Sequence, residues 1–347
     1  MKKTAIYALT PQGANLGRIL AEKMHGDLFL PSRIADAYGG MPFNHLMEAV
    51  TENFSQYPRQ IFIAATGIVI RAIAPHLRSK NSDPGVVVLD QKGRYVISLV
   101  SGHLGGANAL AEDVAQLTDG QAVITTASDT EGVPSIDLLA KERNLFIANI
   151  RAVKRINMAI LEGKPVQIYD AEDRLGLKNM DMPGLVVNRV EREVQYDIET
   201  PGVWVSWRRK TPAPGGDKLL LLHPRCLVAG IGCNSGTTKR EILGLIKAAF
   251  QENSLALESL RCISTIEEKR DEKGLIDTAC ELGVPLIFAD PSEIRSIDVP
   301  HPSSVVEKHM GVLSVCEATA ILKSGKGRLL VPKTKSLNVA LAVALES

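Results

Sequence analysis

The chain lacks an excess of either charge: 40 Lys and Arg face 39 Asp and Glu, leaving a net +1 at pH 7. Without a global field, neither nucleic acid nor an anionic membrane surface is an expected partner, and any anion site must be built locally. A paired-cysteine pattern is also missing. Cys226, Cys233, Cys262, Cys280 and Cys316 are odd in number, lie in the last third and include no CxxC. That pattern argues against a disulfide framework and for the reduced thiols of a cytoplasmic protein. No His or Cys cluster has metal-ligand spacing, so no protein-bound metal is expected. No run approaches the ~20 apolar residues that a membrane span requires. Thr4 to Thr10 reads as a first strand rather than an export signal, because Pro11, Gln12 and Asn15 interrupt the apolar run. Internal repeats and low-complexity segments are absent as well.

What is present is alternation. Ala5 to Leu9, Gln60 to Ala65, Gly85 to Leu89, Tyr95 to Val100 and Ala122 to Thr126 read as strands, and 14–24, 44–55, 67–77 and 106–118 as helices. Such alternation predicts a mostly parallel sheet covered by helices. Residues 151–225 differ, with one helical stripe at Arg151 to Leu161 followed by Pro-rich polar segments and the breaker Pro212 to Asp217. A second α/β pattern follows, with strands at 225–230, 261–266, 285–289 and 328–332 and a helix at 238–253. The expected architecture is therefore α/β: an N-terminal domain over 1–150, a small middle domain over 151–225 and a C-terminal domain over 226–347, both outer sheets mostly parallel.

Ligands of parallel sheets collect at the carboxyl ends of strands. If the first-half strands are parallel neighbours, Thr66, Arg71, Ser101, His103, Asn108 and Asp129 share one rim. The segment Ser101-Gly102-His103-Leu104-Gly105-Gly106-Ala107-Asn108 can present backbone amides of Gly102, Gly105 and Gly106 to a carboxylate or an oxyanion. The same spacing also serves a plain strand-to-helix turn capped by Ser101 or Asn108. His103, with an intrinsic pKa near ~6.5, suits proton transfer. A serine triad is not expected, since no GxSxG is present and Ser101 lies two residues from His103. Arg71 offers a planar fork for a carboxylate or a solvated helix position.

In the second half, Gly230-Ile231-Gly232-Cys233-Asn234-Ser235-Gly236 has one residue too many for the dinucleotide fingerprint, and no acidic residue follows at the expected distance. No P-loop is present. Cys233 beside a helix start could have a lowered pKa or a packing role. Ser314 followed by Glu317 fits a capping box.

These segments together resemble the cobalamin-biosynthesis family whose members are cobalt-precorrin-5A hydrolases. The resemblance rests on Thr66-Gly67-Ile68 through Pro75, Asp83-Pro84-Gly85 through Asp90, Ser101 to Asn108, the Gly230-Ile231-Gly232-Cys233 loop with Gly236-Thr237, and Gly311 to Ala318 with Leu330-Val331-Pro332-Lys333. It covers nearly the whole chain. Asn234-Ser235 depart from it where basic residues are expected, and His76 where an aliphatic one is. The resemblance implies a hydrolase acting on a cobalt-corrinoid intermediate. Such an enzyme opens a δ-lactone and releases acetaldehyde, with no cofactor beyond the substrate's own cobalt. For such a reaction the expected catalytic residues are His103 and Asp129, one or the other activating water or shuttling protons. Substrate binding falls to Thr66, Arg71, Ser101, Gly102, Gly105, Gly106, Asn108, Gly232, Cys233, Glu317 and Lys333. A homodimer is compatible with this reading. A non-catalytic corrinoid carrier and, from the Gly230 loop, a nucleotide-dependent enzyme stand as alternatives.

Overall fold

The first strands are nearly continuous apolar runs whose successive side chains point to opposite faces, so each strand is apolar on both faces and must be covered on both. Ile6, Leu28, Ile61 and Val87 pack in one core cluster, and their chain neighbours Tyr7, Phe29, Phe62 and Val88 in another. A computed structural model describes residues 4–79, 82–126, 135–177, 186–191, 195–197, 199–209, 211, 216–295, 297–301 and 314–347. The chain divides into two compact units, essentially 1–139 and 140–347.

The first unit contains β1 (Thr4–Ala8), α1 (Pro11–Met24), β2 (Asp27–Pro31), α2 (Ser32–Tyr38), β3 (Met41–Phe43), α3 (Leu46–Asn53), β4 (Arg59–Ile63), α4 (Thr66–Ile73), β5 (Gly85–Leu89), β6 (Tyr95–Val100), α5 (Ala107–Thr118) and β7 (Gln121–Val123). Their seven-stranded sheet runs β3-β2-β1-β4-β5-β6-β7. Helix α1 starts at Pro11, earlier than its apolar stripe implies. The Thr10 hydroxyl accepts the Gly13 amide at 3.1 Å and proline suits a first helical position. Every adjacent pair is parallel except β5 and β6, where Val86 faces Val100 and Leu89 faces Val96. That single reversal decides where the loops go. The turn after β4 leaves at one end of the strands, and the Ser101 loop after β6 leaves at the other, beside the start of β5.

Helix α6 (Ile136–Glu142) follows, then β8 (Leu145–Ile147), α7 (Ile150–Leu161), β9 (Val166–Asp170), β10 (Val187–Arg189), β11 (Gly202–Val205) and β12 (Leu219–Pro224). The middle region thus carries a five-stranded sheet of its own, β10-β9-β11-β12-β8, antiparallel only at β8. Its centre is the Tyr169 ring stacked on Trp204 at 3.8 Å.

Beyond it lie β13 (Leu227–Cys233), α8 (Lys239–Glu252), β14 (Leu260–Ile266), α9 (Lys273–Leu282), β15 (Leu286–Ala289), α10 (Pro291–Arg295), α11 (Val315–Lys323), β16 (Arg328–Lys335) and β17 (Val339–Leu345). The third sheet runs β15-β14-β13-β17-β16, parallel from β15 to β13 and antiparallel at β17 and β16. Helices α8 and α9 cover one face, and α11 the other. Gly230 is where α11 comes closest: a β-carbon there would collide with the Cys316 carbonyl oxygen.

Candidate functional site

The rim expected in the first unit does not form, because β6 runs against β5. Thr66 and Arg71 follow the carboxyl end of β4 at one end of the strands, and the Ser101 loop lies at the opposite end. Arg71 is exposed and donates to the Gly67 carbonyl of its own helix at 3.1 Å. His76 also has a local role: its Nε2 lies 3.1 Å from the Thr51 hydroxyl, and its ring sits 5.6 Å from that of Phe54.

The Ser101 loop is tightly determined. Ser101 adopts φ 60°, and its hydroxyl is buried without a hydrogen-bond partner among the described residues. The Ser101 and Gly102 carbonyls accept the amides of Ala107 and Asn108 at 3.1 and 3.0 Å. The Gly106 amide donates to the His103 carbonyl at 3.0 Å, so Gly106 is not the open donor its composition suggested. Gly102 and Gly105 amides enter no such bond among the described residues. Gly105 can be nothing larger, since a β-carbon would strike that of Ser101. Asn108 is buried; its amide oxygen accepts the Ser98 hydroxyl at 2.6 Å and its nitrogen donates to the Thr126 hydroxyl at 3.2 Å. It caps no helix; it ties β6 and α5 to the segment that follows β7. His103 is half-buried in this loop. Asp129, expected as its partner, lies outside the described residues.

A cavity of about 470 Å³ opens in the C-terminal sheet, at the carboxyl ends of β13 and β14 and the start of α11. Gly232 and Cys233 end β13 beside it, and Lys269 lines it from the turn after β14 while Lys333 and Lys335 line it from β16. Sequence reading found Lys333 but not Lys269 and Lys335, because nothing local distinguishes a lysine of β16 or of the turn after β14 from a solvated one. Lys269 supplies charge beside the loop that lacks it: it is half-buried, and its ammonium reaches the Ser235 hydroxyl at 3.5 Å and the Glu272 carboxylate at 3.6 Å. Burial pushes the Cys233 thiol up, with Lys269 opposing, so the lowered pKa considered for it is not found.

Glu317 does not face the cavity and is 0% exposed. Its carboxylate accepts the His301 amide at 3.0 Å, lies 2.9 Å from His301 Nδ1 and accepts the Lys333 amide at 3.0 Å. The capping box is therefore not made: Ser314 gives no side-chain cap, and its hydroxyl lies 3.6 Å from the Cys316 sulfur. Lys333 needs this outside acceptor because β16 shifts register against β17 on both sides of Val331, next to Pro332.

The hairpin tip between β16 and β17 is equally fixed. Glu241 of α8 accepts the Ser336 hydroxyl at 2.9 Å, the Asn338 amide at 2.8 Å and the Asn338 side chain at 3.2 Å. Asn234 pairs with Asn338 through main chain and side chain, at 2.9 and 3.1 Å. The glycine loop after β13 is thus committed internally, Gly236 donating to Glu272 at 2.8 Å. This leaves little of the open amide cradle that a nucleotide phosphate needs. Among the described residues no cluster of three or more potential metal ligands occurs, and no helix is long and apolar enough to cross a membrane.

Three family models match the chain in order. They are described as Cobalamin synthesis G N-terminal over 48–129, Cobalamin biosynthesis central region over 134–224 and Cobalamin synthesis G C-terminus over 227–344. A cobalt-precorrin-5A hydrolase of Priestia megaterium is 33% identical over 355 residues, spanning 98% of this chain and 94% of its own length. One from Salmonella typhimurium is 32% identical over 346 residues, spanning 98% and 97%. The crystal structure of CobE, a protein from the cobalamin (vitamin B12) biosynthetic pathway, matches at 32% identity over 35% of this chain and 91% of that one, with a TM-score of 0.34.

Proposed function

The chain belongs to the cobalamin synthesis G family, and from that premise we propose how it works as a cobalt-precorrin-5A hydrolase of cobalamin biosynthesis. The substrate is a cobalt tetrapyrrole whose ring-A acetate is closed as a δ-lactone onto the former bridging carbon, which carries a methyl group and a hydrogen and keeps a single bond to the ring. Water adds to the lactone carbonyl; the acid is freed and an alkoxide remains on that carbon. Collapse of the alkoxide to an aldehyde breaks the carbon's one bond to the ring and expels it with its methyl and hydrogen as acetaldehyde, the bonding electron pair passing into the macrocycle. Cobalt arrives with the substrate.

The protein must activate water, hold an oxyanion and move protons. His103 is assigned the proton transfer together with Asp129, and the amides of Gly102 and Gly105 the developing oxyanion. Asn108 is a positioning residue, holding β6 and α5 to the chain that leads from Thr126 towards Asp129.

The observation that carries the reading of substrate contact is the convergence of Lys269, Lys333 and Lys335 on one cavity in the C-terminal sheet. A corrinoid rimmed by acetate and propionate groups is a polyanion, and three lysines lining a cavity that also meets the N-terminus of α11 answer it. We place the protein in the cytoplasm, where the free thiols of its five cysteines persist. Incubation with cobalt-precorrin-5A should release one acetaldehyde per corrinoid converted. Corrinoid binding without acetaldehyde would favour a carrier instead.

A further inference from the structure

Leu337 is 91% exposed, whereas the next most exposed large apolar side chain among the described residues, Met47, is 56% exposed. It is not the tip of a loose loop. The Ser336 amide closes the hairpin on the Val339 carbonyl at 2.8 Å, and the residues flanking Leu337 are held by Glu241 and Asn234. Leu337 lines the same cavity as Lys333 and Lys335, within a hairpin tip that borders it continuously from Lys335 to Ala340. A rigid frame that keeps a leucine in water beside lysines loses hydrophobic stabilisation in the free protein and recovers it when an apolar surface arrives.

We propose that Leu337 is a specificity-determining residue that packs on the apolar face of the tetrapyrrole macrocycle while the neighbouring lysines take its peripheral carboxylates. This rests on the reading that the cavity receives the corrinoid. A flat ring with an anionic rim needs both kinds of contact, and the two differ in salt dependence. Ion pairs at an open cavity weaken as salt rises, whereas apolar contact does not.

The test is steady-state kinetics with cobalt-precorrin-5A, at low and high salt, for Leu337→Ser, Leu337→Met, Lys333→Ala and Lys269→Ala. Losing most of a leucine's contact should raise KM about tenfold in Leu337→Ser with kcat little changed. The increase should be the same at both salt concentrations, and Leu337→Met should restore it. The lysine variants should raise KM chiefly at low salt. Leu337→Ser with the parent KM, beside weakened lysine variants, overturns the role of Leu337 alone. Parent KM in all four overturns the cavity as the corrinoid site, and the inference with it. Because Leu337 is solvent-exposed, an unchanged melting temperature separates loss of contact from loss of fold.

Discussion

The buried carboxylate of Glu317 accepts the main-chain amide of Lys333 at 3.0 Å, so a residue with no exposed surface sets where a cavity lysine stands. The bulged strand offers that amide no ladder partner, and the helix supplies one. Glu317→Ala would take the acceptor from the part-buried Lys333 and His301 amides, at about 1 kcal/mol each. It should therefore lower the melting temperature and raise KM together. Lys333→Ala should raise KM with the melting temperature nearly unchanged. Calorimetry and kinetics on the two variants check the split, and equal losses of stability in both would refute it.

His103→Ala and Asp129→Asn should each lower kcat by about 100-fold or more, the usual scale of a lost proton-transfer group. Circular dichroism should remain that of the parent. Near-normal turnover in both variants removes them from catalysis.

Gly105→Ala tests the loop rather than a side chain. Its β-carbon would collide with Ser101, so the turn must shift, and displacements near 1 Å cost about 100-fold in rate. Single-turnover acetaldehyde release should fall while corrinoid binding, followed by its visible absorbance, holds.

Hydrogen bonds from the Asn338 main chain, the Asn338 side chain and Ser336 hold the Glu241 carboxyl below the usual carboxylate range. Its stabilisation of the hairpin tip is thus complete above the unfolded value of about 4.3 and is lost as pH falls through the lower folded value. Protection of the Asn338 amide against hydrogen exchange, corrected for intrinsic rates, should be flat near neutrality and decline on acidification. In Glu241→Gln that acid dependence should disappear.

Burial raises the Cys233 thiol, so at neutral pH iodoacetamide should label exposed Cys280 first. Labelling of Cys233 should accelerate at alkaline pH. Lys269→Ala removes the opposing charge and should slow it further, while bound corrinoid should protect it. Peptide mapping by mass spectrometry reads all three.

The long periodic elements were legible in the chain: β5 and β6 fall where their β-branched runs place them, and α8 within a residue or two of its expected ends. Between residues 25 and 43, β2, α2 and β3 were missed, because each is short and α2 buries only Ala35. Strand β17 was missed despite a signal: Val339 to Leu345 is an unbroken apolar run of the kind a strand covered on both faces requires. Strand direction was the larger gap. Its signal was the connection, not the strand: the five residues from Asp90 to Arg94 are too few for a parallel crossover and force β6 antiparallel to β5, and that reversal separates Arg71 from the Ser101 loop. Glu317 carried a helix-start spacing, but its partners are sixteen residues away on either side, beyond any local pattern.

Strand β17 lies between β13 and β16, with all seven of its residues registered against β13. Until residue 345 has left the ribosome, β13 therefore has no neighbour on that flank, and the lysine-lined cavity has no far wall. Assembly of the whole sheet waits on contacts more than a hundred residues apart, the slow kind of closure. A nascent or truncated chain stopped before this strand would bare an apolar edge, and it is there that aggregation and chaperone capture should begin.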